Sequence, residues 1–133
     1  MPLGFDTAEG IRNLSPREAW EHCARGAIIL DIRKEYLNTF KRFDVPSVIQ
    51  IPMDHLQERY QELPAKQIII VADTAGIQSK EAYIMLREKG LIQLSNLAGG
   101  IVEWERDGMP LIIDDSEKLT GSCAYQLRAR NKL

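Results

Sequence analysis

Residues 66–90, KQIIIVADTAGIQSKEAYIMLREKG, constrain this chain more than any other stretch, because they read as a buried strand feeding a loop that opens an amphipathic helix. Ile68 to Ala72 is an unbroken apolar run rich in β-branched residues, the pattern of a strand covered on both faces. Asp73 to Gln78 is too small and polar to prolong it. From Ser79 onward, Ala82, Tyr83, Met85 and Leu86 follow helical spacing, and Gly90 supplies the stop. A short loop between the carboxyl end of a strand and the amino end of a helix gathers backbone N–H groups around one point, a ready cradle for an anion. The side chain at the first loop position, Asp73, then decides what that cradle can do.

Similar punctuation recurs along the chain. Ser15-Pro16-Arg17-Glu18 is a capping box with proline at the first helical position, and Ala19, Trp20, Cys23 and Ala24 continue the helix to Gly26. Ala27 to Ile32 reads as a buried strand, Glu35 to Phe40 as a short helix, and Ser47 to Ile51 as a third short strand after Val45-Pro46. Asp54 is placed to cap a helix reaching about Leu63, with Leu56, Tyr60 and Leu63 on one face. Leu94 to Leu97 is a further parallel strand; Gly99-Gly100 leads into a helix through Val102, Trp104 and Glu105, and Met109-Pro110 into Leu111–Ile113. Strands alternating with helices imply an α/β fold: a five-stranded, mostly parallel sheet flanked by helices on both faces. Ligands of such sheets sit at the carboxyl ends of strands, where Asp73 falls.

The length of 133 residues, 44% hydrophobic, suits one domain, expected over 1–113, with 114–133 as a C-terminal basic tail. The formal net charge of −2 gives no reason to expect nucleic acid as a partner. Two cysteines, Cys23 and Cys123, make no disulfide framework, and neither they nor His22 and His55 are spaced to hold a metal. With no signal-peptide core and no apolar run of membrane-spanning length, the expected setting is cytoplasmic, with no membrane partner.

Taken in order, LSPREAW (14–20), ILDIRKEY (29–36), VPSVIQIP (45–52), ELP (62–64), IIIVADTAGIQS (68–79), LREKG (86–90), NLAGGIVEW (96–104) and GMPL (108–111) resemble a rhodanese homology domain across roughly residues 11–113. The resemblance implies a catalytic frame C-x-x-G-x-R-S at the strand end, which here reads Asp73-Thr74-Ala75-Gly76-Ile77-Gln78-Ser79. Gly76 and Ser79 are kept, whereas Asp73 stands at the nucleophilic cysteine and Gln78 at the arginine. Sulfur transfer needs a thiolate that attacks a sulfane sulfur and holds it as a persulfide, with loop N–H donors stabilising the anion. A carboxylate carries the charge but forms no persulfide, and Gln78 offers no charged donor fork to an anion such as thiosulfate. An ionised Asp73 would fill the cradle itself and repel other anions. The resemblance also implies that Asp31 and Arg33 form the family's buried Asp-x-Arg pair, a structural ion pair. It places Asp44 where the family usually has histidine, and Ser47 at the following glycine.

The reading that follows is a catalytically inactive domain acting as a binding or regulatory module for a protein partner. Its cradle is Asp73, Thr74, Ala75, Gly76, Ile77, Gln78 and Ser79, it takes no cofactor, and a small anion is the other ligand class for the loop. The alternative is a sulfurtransferase, or a sulfur-relay or redox protein, that uses Cys123 in the tail, where Arg128 and Arg130 would lower the thiol pKa if they approach it. DTAG also spells a GTPase switch segment, but no phosphate loop precedes it. An aspartyl phosphatase would need a second acid at position 75, which is alanine. Cys23, on the apolar face of the first helix, reads as core, and Trp20 and Trp104 as helix faces packed on the sheet.

Overall fold

The computed structural model describes residues 5–6 and 10–114. Its elements in chain order are β1 (Phe5–Asp6), β2 (Arg12–Leu14), α1 (Pro16–Ala24), β3 (Ile28–Asp31), α2 (Glu35–Phe40), β4 (Lys41–Phe43), β5 (Val48–Gln50), α3 (Met53–Arg59), a 3-10 turn (Tyr60–Glu62), β6 (Ile69–Ala72), α4 (Gln78–Glu88), β7 (Leu94–Leu97), α5 (Gly100–Arg106) and β8 (Leu111–Ile113). The main sheet runs β1-β2-β7-β6-β3-β5. Its last five strands are parallel, and β1 joins β2 antiparallel at one edge.

The central strands β3, β6 and β7 are buried at every position, so their residues alternate between two cores rather than between core and water. Ile28, Leu30, Ile69, Val71 and Leu94 face Leu56 of α3 and Ala82, Tyr83 and Leu86 of α4. Ile29, Ile70, Ala72 and Leu97 face Ala19 and Cys23 of α1 and Ile101 and Trp104 of α5. The second core also takes in Phe43, whose ring meets Trp104 edge-on with centroids 5.2 Å apart.

Several expectations shift in detail. The capping box forms as read: the Glu18 N–H donates to Ser15 Oγ at 3.2 Å, and the Ser15 N–H donates to Glu18 Oε1 at 2.9 Å. Asp54 is not a cap. Pro52, with φ −56° and ψ 148°, already holds the extended cap conformation, so α3 starts at Met53 and Asp54 lies in its first turn. That helix stops at Arg59 and passes into the 3-10 turn. The fifth parallel strand is Arg12–Leu14, too short to carry a period in the sequence. Leu111–Ile113 forms a strand but not in the main sheet; it pairs antiparallel with Lys41–Phe43 in a separate two-stranded sheet. Trp104 is fully buried, whereas Trp20 is exposed rather than packed on the sheet.

Candidate functional site

Asp73 follows the last residue of β6, and the chain turns through Thr74–Ile77 before α4 begins. Its carboxylate folds back into the turn. The Gly76 N–H donates to Oδ1 at 2.5 Å, and the Gln78 and Ser79 N–H groups donate to Oδ2 at 2.7 and 3.1 Å. All three donors come from the loop and the first turn of α4, where free N–H groups and the helix dipole both favour negative charge. Asp73 is buried by this arrangement, at 4% exposure.

The outer side of the loop is held by α5. The Ile101 N–H donates to the Asp73 carbonyl at 2.9 Å and the Val102 N–H to the Thr74 carbonyl at 3.0 Å. The first free donors of one helix thus satisfy the loop that feeds another. This close approach requires glycine at two points. A Cβ on Gly100, where φ is +62°, would lie 2.5 Å from the carbonyl oxygens of both Asp73 and Thr74. A Cβ on Gly76, where φ is +91°, would lie 2.9 Å from the Gly99 nitrogen. In the sequence this latch shows only as the glycine pair Gly99-Gly100, which also marks a helix start.

Asp31 and Arg33 come together at the end of the neighbouring strand β3. Arg33 Nη2 donates to Asp31 Oδ2 at 2.8 Å, Nε donates to Oδ1 at 3.0 Å, and the Arg33 backbone N–H donates to Oδ1 at 3.1 Å. Nη2 also donates to the Lys41 carbonyl at 2.7 Å, and the guanidinium stands 5.8 Å from the centre of the Phe43 ring. The pair therefore ties the main sheet to the small β4–β8 sheet. Between the two sites opens a pocket of about 340 Å³, lined by Arg33, Lys34 and Leu37 on one side and by Asp73, Thr74, Ala75, Ile77 and Gln78 on the other. Gly76 and Ser79 are buried behind the loop, and the Ile77 side chain is 77% exposed.

Cys23 is buried among apolar side chains, and loss of hydration pushes its thiol up to about 12, so it stays protonated at neutral pH. Half-buried His22 is shifted below its ordinary value, chiefly by burial and next by Arg25. His55 is exposed, 3.8 Å from Glu58. Among the described residues no group of three His, Cys, Asp or Glu is placed to hold a metal, and no helix is long and apolar enough to cross a membrane. Cys123, Arg128, Arg130 and Lys132, and the tail they belong to, lie outside the described residues.

This α/β architecture is shared with solved structures. The rhodanese-related protein of Thermoplasma volcanium superposes with a TM-score of 0.70 over 77% of this chain and 99% of its own, at 24% identity, a likeness of fold alone. The sequence takes the assignment further: residues 15–107 match the rhodanese-like domain family, and the chain belongs to it. A sulfurtransferase of Allochromatium vinosum is 31% identical over 68 residues, which are 51% of this chain and 64% of that protein, so the match spans just under two thirds of the relative. The thiosulfate sulfurtransferase GlpE of Actinobacillus pleuropneumoniae is 25% identical over 105 residues, 78% of this chain and 95% of its own.

Proposed function

We propose that this is a rhodanese-like domain without sulfurtransferase activity, serving as a binding or regulatory module whose recognition site is the loop from Asp73 to Ser79. In this reading Asp73 stands where catalytic relatives carry the persulfide-forming cysteine, and Gln78 stands where they carry arginine. The single observation that supports it most is the seating of the Asp73 carboxylate in the N–H groups of Gly76, Gln78 and Ser79. Those are the donors that a thiolate or persulfide at this position would need. A carboxylate oxygen cannot take up sulfane sulfur, so the loop keeps its shape and charge and loses the chemistry. The domain boundaries we assign are 1–113 for the domain and 114–133 for the basic tail, which carries Cys123.

The test is a thiosulfate:cyanide assay with persulfide detection by mass spectrometry on the full chain. No turnover and no +32 adduct, roughly one sulfur atom, are expected of the wild type. Asp73→Cys alone is expected to restore little, because the neutral Gln78 still faces the incoming anion, and Asp73→Cys with Gln78→Arg to restore more. The second reading is a relay through Cys123, and it draws support from the relatives named as sulfurtransferases. A wild-type persulfide that disappears in Cys123→Ala would establish that reading and overturn the first.

A further inference from the structure

We infer that the pocket in front of the Asp73 loop takes an aliphatic ammonium group, of the kind that a lysine side chain on a partner protein presents. This rests on the reading of the domain as a binding module and names the chemistry its partner would bring.

What the loop attracts depends first on the sign of the charge left there. A carboxylate offers about four lone-pair positions, and Asp73 uses three of them on loop N–H groups, with Oδ1 holding only one. The end of α4 supplies about half a positive charge against the full negative charge of the side chain. Roughly half a negative charge therefore remains. Two cations also line the pocket. The Arg33 guanidinium is committed to Asp31 and to the Lys41 carbonyl. Lys34 Nζ lies 3.8 Å from Asp54, an exposed pair that only partly offsets it. Position 78, where a guanidinium would repel a second cation, is a neutral amide.

The remaining chemistry agrees. An ammonium group has three donors, and the exposed loop residues lining the pocket with accepting side-chain oxygens are Thr74 and Gln78, beside the buried Asp73. Leu37 and Ile77, 36% and 77% exposed, give apolar surface to a methylene stem. A pocket of about 340 Å³ has room for such a side chain. An oxyanion meets the opposite situation, because the Gly76, Gln78 and Ser79 N–H groups are already occupied by Asp73.

The experiment is an amide chemical-shift titration of the full chain with N-acetyl-lysine N-methylamide. The neutral norleucine counterpart, n-butylammonium and thiosulfate serve as separate arms. Shifts are expected at Gly76, Ile77, Gln78 and Ser79 with the lysine compound, about tenfold weaker binding of the norleucine compound, and no loop shifts with thiosulfate. Lys34→Gln should tighten lysine binding and Ile77→Ser should weaken it; both side chains are exposed, so neither change threatens folding. Equal binding of the lysine and norleucine compounds, or loop shifts with thiosulfate alone, would overturn the inference. Tighter binding of n-butylammonium than of the lysine compound would overturn the assignment to a protein side chain. Failure here leaves the persulfide result untouched, and a wild-type persulfide would sink the binding-module reading whatever this titration gives.

Discussion

Two carboxylates are buried at the carboxyl ends of neighbouring parallel strands, Asp31 on β3 and Asp73 just after β6, and they are stabilised in different ways. Asp31 is neutralised by a side chain, the Arg33 guanidinium two residues on. Asp73 is held by backbone N–H groups and depends on the path of the chain. A charge pair fails when either side chain changes. An amide nest tolerates new side chains at Thr74, Ala75, Ile77 or Gln78, provided that the turn glycine and the latch behind it stay. That difference explains how the loop carries an oxygen acid at Asp73 and is still shaped as a loop that cradles an anion.

The comparison is tested most severely at Arg33. Replacing it with methionine strands the Asp31 carboxylate in the core and removes the donor to the Lys41 carbonyl, so a loss of about 3–5 kcal/mol is expected. Urea unfolding of Arg33→Met, alongside the Asp31→Asn/Arg33→Met double variant, reads the effect. The double variant should recover much of the loss, because no charge is left unpaired. A cost below about 1 kcal/mol for Arg33→Met, the range of solvated pairs, would end the contrast.

The nest should break instead at its backbone. Gly100→Ala sets a methyl group against the carbonyls of Asp73 and Thr74 and strains a positive φ, with an expected cost of about 2–3 kcal/mol. The amide resonances of Gly76, Gln78 and Ser79 should move with it. Gly108→Ala provides the control: its φ is also positive, at +76°, but a Cβ there meets nothing within 4 Å. It should cost only about 1 kcal/mol and leave the loop resonances in place. Loop shifts of equal size in both variants would mean that α5 does not hold the loop.

Much of this was legible beforehand because the signals were local and strong. The β6 run Ile68–Ala72, the capping box at Ser15 and the glycines around α4 each combine pattern with punctuation, and the elements they mark begin and end within a residue or two of those signals. What stayed hidden depended on distant partners. Arg12–Leu14 becomes a strand because Asn13 and Leu14 find Asn96 and Leu97 on β7. Lys41–Phe43 does so because it pairs with Leu111–Ile113, about seventy residues away, and three residues cannot establish a period. At the site, the sequence supplied Asp73 and the donors beside it in the chain. The latch by Ile101 and Val102 is a contact across the fold, visible in the sequence only as an unexplained pair of glycines.

A third carboxylate separates burial from pairing as the source of the cost at Arg33. Lys41 Nζ meets Glu105 Oε1 at 2.6 Å, joining β4 to α5, but the two side chains are 26% and 47% exposed. Short as it is, this pair keeps water on both partners, and removing one leaves the other free to be hydrated. Lys41→Gln should therefore cost about 0.5 kcal/mol. Raising sodium chloride toward about 1 M, where screening acts over about 3 Å, should erase that difference. The penalty of Arg33→Met should persist in the same salt, since ions do not reach the buried Asp31. If salt removed both penalties alike, the Asp31–Arg33 pair would behave as a surface pair, and its contrast with the amide-held Asp73 would be one of geometry alone.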